Sequence, residues 1–389
     1  MFNHMNSLLE SIGQKRLSVY EMPNATVQES RLTNNPDWNT LTHQHGDLIF
    51  TGYQLAHAVI KADFLEYRNP TLPGIGFILQ SHHFIDWVST DFCLKAGAAK
   101  LLGDFARTGL TGRIGQGISL LFAHSKGYSF TAHLREYLEA NNIPTRDAAG
   151  RALPIADFVF DGSTNARAIV ESKASLSLNG YDPSSVKSLL KSALNNQVIP
   201  WMSRLIPPAT KSFVVCSYLR ERANSGACPS SLAFVDPENT SDVGEFELSP
   251  ESVRRENYAA WLAAMGLIQE AERLRNRDSA GMEAVWFAVV KVREREFAFP
   301  IAFCPPFRVH HFPVVQLTSG CVVAGIHVDA LHAVSRASQG DEKALVEYLG
   351  IVQESVEKPD NNWHSIFPDG TYFGNIDQSS AFQIIGVVL

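Results

Sequence analysis

Ile155-Ala156-Asp157-Phe158-Val159-Phe160, the polar stretch Asp161-Gly162-Ser163-Thr164-Asn165, and Arg167-Ala168-Ile169-Val170-Glu171-Ser172-Lys173 decide how this chain is read. The two apolar runs are strand-length and the stretch between them is turn chemistry, which predicts a pair of adjacent strands. Side chains alternate along a strand, so Glu171 and Lys173 share one face, and Ala168, Val170 and Ser172 share the other. On the first run, Ile155, Asp157 and Val159 lie on one face and Ala156, Phe158 and Phe160 on the opposite one. A tight connection then stands Asp157 beside Glu171 while the Phe face packs on helices. Asp161 competes for this role but sits at the expected turn.

Two carboxylates on neighbouring strands form a hard oxygen site suited to Mg2+ or Mn2+. Such an ion stabilises a phosphate in transfer and lowers the pKa of a bound water. Lys173, two residues beyond Glu171, is placed to reach the attacking water or a non-bridging phosphate oxygen.

Outward from this pair, a helix is expected from Thr111 or Gly112 through Ala123. A second is expected after Ser129 or Thr131, with Leu134, Tyr137 and Leu138 at helical spacing. After Asp182-Pro183-Ser184, the positions Val186, Leu189, Leu190, Ala193, Leu194, Val198 and Trp201 predict an amphipathic helix. That helix carries Lys187 and Lys191 one turn apart as candidate phosphate contacts. Ser212–Tyr218 reads as a third strand, and residues 221–242 as a linking loop. Beyond it, a helix is expected over 250–275, a hairpin at Ala284–Val292 and Arg295–Phe303, and strands at 313–316, 321–328 and 381–389. A last helix is expected near 341–355.

Asp157, thirteen intervening residues and then Glu171-Ser172-Lys173, preceded by Pro154, resembles the PD-(D/E)xK nuclease superfamily. The expected order of helix, Asp strand, Glu-x-Lys strand, amphipathic helix and strand is similar to that family's. The resemblance spans roughly residues 110–220. It implies an α/β, restriction-endonuclease-like core, a mixed sheet flanked by helices. It also implies catalytic Asp157, Glu171 and Lys173, with Asp157 and Glu171 as metal ligands. Gln116, in Arg113-Ile114-Gly115-Gln116-Gly117, matches a helix position where the family often has an acidic or amide residue, and Gln197 matches a supporting glutamine. Arg113 joins Lys187 and Lys191 as a nucleic-acid contact. Two departures stand out. Proline lies three residues before Asp157, and a glutamine at 116 binds a cation less strongly than a glutamate.

The bulk properties fit this picture. The chain has 389 residues, more than one hydrophobic core usually serves. The net charge is −7, yet residues 101–220 hold 13 Lys+Arg against 8 Asp+Glu, and residues 221–389 hold 13 against 23. Positive charge thus collects where a phosphate-binding module is expected. Three units are expected: an N-terminal α/β module over 1–105, the nuclease-like core over 106–235, and an acidic α+β module over 243–389 with a regulatory, partner-binding or dimerising role. The five cysteines include no CxxC pair, which argues against a disulfide framework or a cysteine-rich zinc site. No run approaches the ~18 apolar residues of a membrane span. A cytoplasmic protein without an export signal is the expectation.

Other constellations carry less. His43-Gln44-His45, His82-His83 and His310-His311 read as polar or structural histidines, and Gly112–Gly117 lacks a P-loop lysine. Ser119 and Cys216 have no adjacent base. The expectation is therefore a Mg2+- or Mn2+-dependent endonuclease acting on double-stranded DNA, as in restriction or anti-phage defence. The alternative is an inactive or weak nuclease-fold protein that binds nucleic acid or serves as an assembly subunit.

Overall fold

The computed structural model describes residues 13–29, 38–66, 83–86, 88–101, 103–162, 166–176, 183–202, 204–206, 211–222, 230–237, 246–247, 249–301, 323–351, 364–376 and 382–389. The expected strand at 313–316, the turn residues 163–165, His82 and the pair His310-His311 lie outside them.

A seven-stranded mixed sheet forms the first layer. Its strands are β1 (Gln14–Glu21), β2 (His43–Thr51), β3 (Tyr128–His133), β4 (Phe158–Gly162), β5 (Arg167–Leu176), β7 (Lys211–Leu219) and β8 (Ser231–Val235), in the order β2-β1-β8-β7-β5-β4-β3; β6 (Leu205–Ile206) lies outside this sheet. β3, β4 and β5 form an antiparallel meander, and β7 returns parallel to β5. The helices used below are α1 (Asn24–Gln28), α2 (Gly52–Glu66), α3 (Asp104–Ser125), α4 (Leu134–Ala140), α5 (Pro183–Ala193), α6 (Pro250–Ala264), α7 (Ile268–Asn276) and α8 (Val328–Ser338).

The period-two pattern sorts the sheet's side chains as expected. Phe158, Phe160, Ala168, Val170, Phe213 and Val215 pack on one face with Ile114, Ile118 and Phe122 of α3. Val159, Ile169, Val214 and Cys216 pack on the other with Val186 and Leu190 of α5. Two glycines let α3 come close. A Cβ on Gly117 would stand 2.6 Å from Val59 Cγ2 of α2, and one on Gly115 would stand 2.6 Å from Ala174 Cβ of β5.

The second sheet is antiparallel. It is built from β10 (Ala284–Val292), β11 (Arg295–Pro300), β12 (Val323–His327), β13 (His364–Ile366), β14 (Thr371–Gly374) and β15 (Phe382–Val388), in the order β13-β14-β12-β11-β10-β15. Tyr258, Trp261, Leu274, Leu331 and Val334 from α6, α7 and α8 cover it. Among the described residues, the short β9 (Phe246–Glu247) pairs only with β6.

Several expectations are corrected. Residues 128–133, expected to start a helix, form β3, and helix begins only at Leu134. All but the last residue of β3 are buried, so tertiary pairing with β4 overrides the helical spacing of the residues that follow. The first strand of the key pair starts at Phe158, one residue after Asp157. Ser231–Val235, expected in a linking loop, is the fully buried β8. The helix expected over 250–275 is two helices, broken where Gly266 takes φ +87°. Of the helix expected near 341–355, the described residues 341–351 hold the short Ala344–Glu347, while the longer helix α8 precedes it.

The expected units also interleave. β1 and β2, expected in an N-terminal module, belong to the same sheet as β4 and β5. α2 is buried on nearly every side, as a helix between two layers must be. Its Ala58, Val59 and Ala62 pack under the first sheet, and its Tyr53, Ala56 and Ile60 join the core beneath the second.

Candidate functional site

β4 and β5 pair through Phe158 and Val170, so Asp157 arrives beside Glu171 one step ahead of the first ladder pair. Three hydrogen bonds lock this corner. Asp157 N donates to Glu171 Oε2 at 3.0 Å, Ser172 N donates to Asp157 Oδ2 at 2.9 Å, and Lys173 Nζ donates to Glu171 Oε1 at 2.5 Å. Asp157, Glu171 and Lys173 therefore converge, as strand alternation requires.

The approach to Asp157 is pinned from the other side. Trp201 Nε1 donates to the Pro154 carbonyl at 2.8 Å, and Gln197 Nε2 donates to the Ile155 carbonyl at 3.2 Å. Gln197 lies in a π-helical turn, Leu194–Val198, that continues α5. The extra residue in such a turn re-aims neighbouring side chains. Gln197 thus holds the segment that presents Asp157.

Glu171 is fully buried, while the Lys173 side chain keeps 31% of its exposure. Burial, with Asp157 beside it, pushes the Glu171 carboxyl well above the ordinary range, and Lys173 opposes this. Burial also raises Asp157, against the Ser172 amide and Lys173. Two neighbouring carboxylates that resist ionisation either retain protons or take up a cation. Among the described residues, no group of three or more His, Cys, Asp or Glu side chains is gathered closely enough to hold a metal. Mg2+ is often held by only one or two carboxylates, with water and phosphate oxygens completing its shell. The Asp157–Glu171 pair fits that donor set.

These raised pKa values predict a pH dependence of the metal-free protein. Each carboxyl is easier to protonate in the fold than in the unfolded chain. Their contribution to stability is present below the ordinary carboxylate pKa and is lost as pH rises toward 8. Thermal melts in EDTA should show this loss in the native chain and a smaller one in Asp157→Asn. Mg2+ should raise the melting temperature more at pH 8 than at pH 5.

The other expected site residues go elsewhere. Lys187 is buried, and its Nζ donates to the Glu29 carbonyl at 2.8 Å. Lys191 Nζ donates to the Gln28 and Glu29 carbonyls at 2.8 and 3.2 Å. Both cations close the C-terminal end of α1, where carbonyls favour positive charge. Lys187→Met is therefore expected to lower the melting temperature and to leave the salt dependence of DNA binding unchanged; a flatter log–log salt slope would return Lys187 to the phosphate contacts. Arg113 Nε lies 3.4 Å from Asp63 Oδ1 of α2. Gln116 Nε2 donates to Glu66 Oε2, also on α2, at 3.4 Å.

Glu66 was not anticipated. It lies within electrostatic reach of Asp157 and of His133, the last residue of β3. A signal existed. Asp63 and Glu66 occupy the last turn of α2, where the helix dipole disfavours carboxylates. Asp161, the rival of Asp157, is fully buried and paired with Arg254 Nε of α6 at 2.8 Å. Cys216 is buried and its thiol is pushed up to about 12, and the Ser119 hydroxyl donates to Ser172 Oγ at 2.9 Å. His45 Nε2 stands 2.5 Å from Glu21 Oε2 on the outer strand pair of the first sheet.

Among the described residues, no helix is long and apolar enough to cross a membrane. Searches against protein-family models, curated proteins and solved structures give no match to this chain.

Proposed function

We propose that this chain is a divalent-metal-dependent endonuclease that hydrolyses phosphodiester bonds in double-stranded DNA. The observation that carries the reading is the meeting of Asp157, Glu171 and Lys173 at one corner of the first sheet. The order α3, β4 with Asp157 just before it, β5 with Glu171 and Lys173, α5 and β7 also follows the order the sequence resemblance implies, with β3 and α4 added before β4. A restriction-endonuclease-like core accounts for both.

Asp157 and Glu171 would hold the cation, Mg2+ or Mn2+, which supplies a water of lowered pKa and neutralises charge on the phosphate. The Lys173 ammonium, partly open to solvent and fixed by Glu171, stabilises the negative charge that builds on a non-bridging phosphate oxygen. Gln197 and Trp201 pin the backbone ahead of Asp157, and the Ser172 amide orients its carboxylate.

Supercoiled plasmid incubated with Mg2+ or Mn2+ should be nicked and linearised, with EDTA stopping the reaction. Asp157→Asn should reduce the rate by at least ~10²-fold, the scale of losing one essential electrostatic group. No cleavage by the native chain with either metal would overturn the reading. Two features favour the alternative of a binding or assembly subunit. Lys173 is already satisfied by Glu171, and Gln116, which the resemblance matches to a cation-supporting position, is a glutamine and donates to Glu66 instead. DNA binding without cleavage in either metal would support that alternative.

A further inference from the structure

β15 ends the second sheet, and its sequence carries none of the usual guards of an edge strand. Edges are commonly blunted by lysine, proline, inward charge, a bulge or short length. β2, an edge of the first sheet, has Asp47, and its ladder with β1 shifts register between Ser18 and Tyr20. β13, at the opposite edge of the second sheet, is three residues long. β15 runs Phe382-Gln383-Ile384-Ile385-Gly386-Val387-Val388, without charge or proline, and pairs with β10 in unbroken register. Phe382, Ile384 and Val388 are 47%, 41% and 41% exposed.

Backbone parity decides what this edge can bind. Leu389 N donates to the Glu283 carbonyl at 3.2 Å, which continues the β10–β15 register by one pair. Bonded and non-bonded pairs alternate along an antiparallel ladder. Val387, Ile385 and Gln383 therefore turn their N–H and C=O groups to β10, while Phe382, Ile384, Gly386 and Val388 turn theirs outward. Trp286, the β10 residue opposite Gly386, agrees with this: its carbonyl accepts from Ile301 N, on the side away from β15, at 2.8 Å. Among the described residues, the outward groups meet only the Ser335 hydroxyl of α8, which donates to the Val388 carbonyl at 2.7 Å. That carbonyl keeps a second lone pair. The open donors and acceptors thus belong to the same residues as the exposed apolar stripe.

A second copy of the strand fits this edge. Antiparallel pairing about a twofold axis at Ile385 sets Phe382 opposite Val388 of the other copy, and Ile384 opposite its Gly386. Each outward residue then faces another outward residue, giving about eight backbone hydrogen bonds. Gly386 leaves room above it that the Trp286 ring borders, since an added Cβ would stand 3.3 Å from Trp286 Cζ3. Ile384 of the other copy packs against that ring. Charge selects the same arrangement. Lys291 lies one step past the Val290–Phe382 pair, in a tip with Arg293, Glu294 and Arg295, and Glu283 lies one step past the Ala284–Val388 pair. Antiparallel copies bring a net positive tip toward a glutamate at each end, whereas parallel copies set like charges together.

We infer that β15 is the interface of a homodimer in which two second sheets join edge to edge into one continuous twelve-stranded antiparallel sheet. The inference rests on this sheet and not on the chemistry at Asp157. Its consequence for the nuclease reading is two Asp157 corners in one particle, as cutting both strands of a duplex needs.

Sedimentation equilibrium of the native full chain should show a dimer. Ile384→Lys places a charge in the stripe and should raise the dissociation constant at least ~10-fold. Ile384→Pro removes an outward N–H without touching the β10 ladder, as proline allows at an edge, and should act likewise. Thermal melts check that the variants are folded. Ile385→Cys tests the register. Non-bonded antiparallel pairs stand ~4.5 Å apart at Cα, within the span of a disulfide, so mild oxidation should link two copies through position 385. The native chain and Gln383→Cys, whose facing residue is Val387, should cross-link far less. A native chain that stays monomeric up to its solubility limit overturns the interface. So does a dimer that survives Ile384→Lys, a folded Ile385→Cys chain that links no better than the controls, or open-ended aggregates in place of a dimer.

Discussion

Lys173→Ala is expected to reduce DNA cleavage by ~10²–10³-fold while the protein stays folded. Folding should survive because the Lys173 side chain is partly exposed and joins no apolar core cluster. What changes is the charge balance of the corner. Lys173 is the main group holding the Glu171 carboxyl down against burial and against Asp157. Removing the ammonium raises that carboxyl further, so Glu171 keeps its proton to higher pH and holds a cation less well. Residual activity should therefore rise with pH more steeply than in the native chain. Nicking rates across pH, alongside a thermal melt of the same preparation, check both parts. A folded Lys173→Ala protein with the native rate would remove Lys173 from the mechanism.

Asp369→Ala is expected to cost ~3–5 kcal/mol of stability, the usual penalty for stranding one member of a buried ion pair. Asp369 and Lys61 of α2 form a salt bridge with both side chains fully buried. Asn257 Nδ2 donates to Asp369 Oδ2 at 2.7 Å, and the Thr371 hydroxyl donates to Oδ1 at 2.7 Å. These partners hold the Asp369 carboxyl at about 2 although burial alone would raise it. Its contribution is present above the ordinary carboxylate pKa and is lost only as pH falls through about 2, so the cost should be full at neutral pH. Urea unfolding of Asp369→Ala measures it. The paired replacement Lys61→Met with Asp369→Leu should recover most of the loss, because no buried charge is then left alone. A loss under 1 kcal/mol in the single variant would show that Lys61 finds another partner. Because α2 packs into the cores of both sheets, the native chain should also unfold in one transition rather than two.

This ion pair bears on the site. His57 and Lys61 tie α2 to Ser365 and Asp369 beside the β13–β14 turn, while Asp63 and Glu66 of the same helix face Arg113 and Gln116. The C-terminal sheet thus fixes the helix that carries Glu66, although Asp369 pairs with Lys61 and the two sheets remain separate.

The convergence of Asp157, Glu171 and Lys173 was legible in the sequence because strand alternation is a local, period-two property and needs no knowledge of distant partners. The helical face of Val186, Leu190 and Leu194 was legible for the same reason at period 3.6, and these residues are buried. The same local reading could not say what Lys187 meets. An exposed-looking lysine on a helix is a phosphate contact or a clamp depending on α1, more than 150 residues earlier. Nor could it find β3 or β8. Their residues become strands by pairing with β4 and β7, and β1 reaches β8 in parallel from the far end of the chain. Local periodicity in the sequence thus determined which side chains stand together along one element. Only the tertiary structure decided which elements face one another, because contacts such as Glu66 with Gln116 and Lys61 with Asp369 join residues 50 and 308 positions apart. Their energies come from burial and pairing across the fold, and they leave no period in the chain.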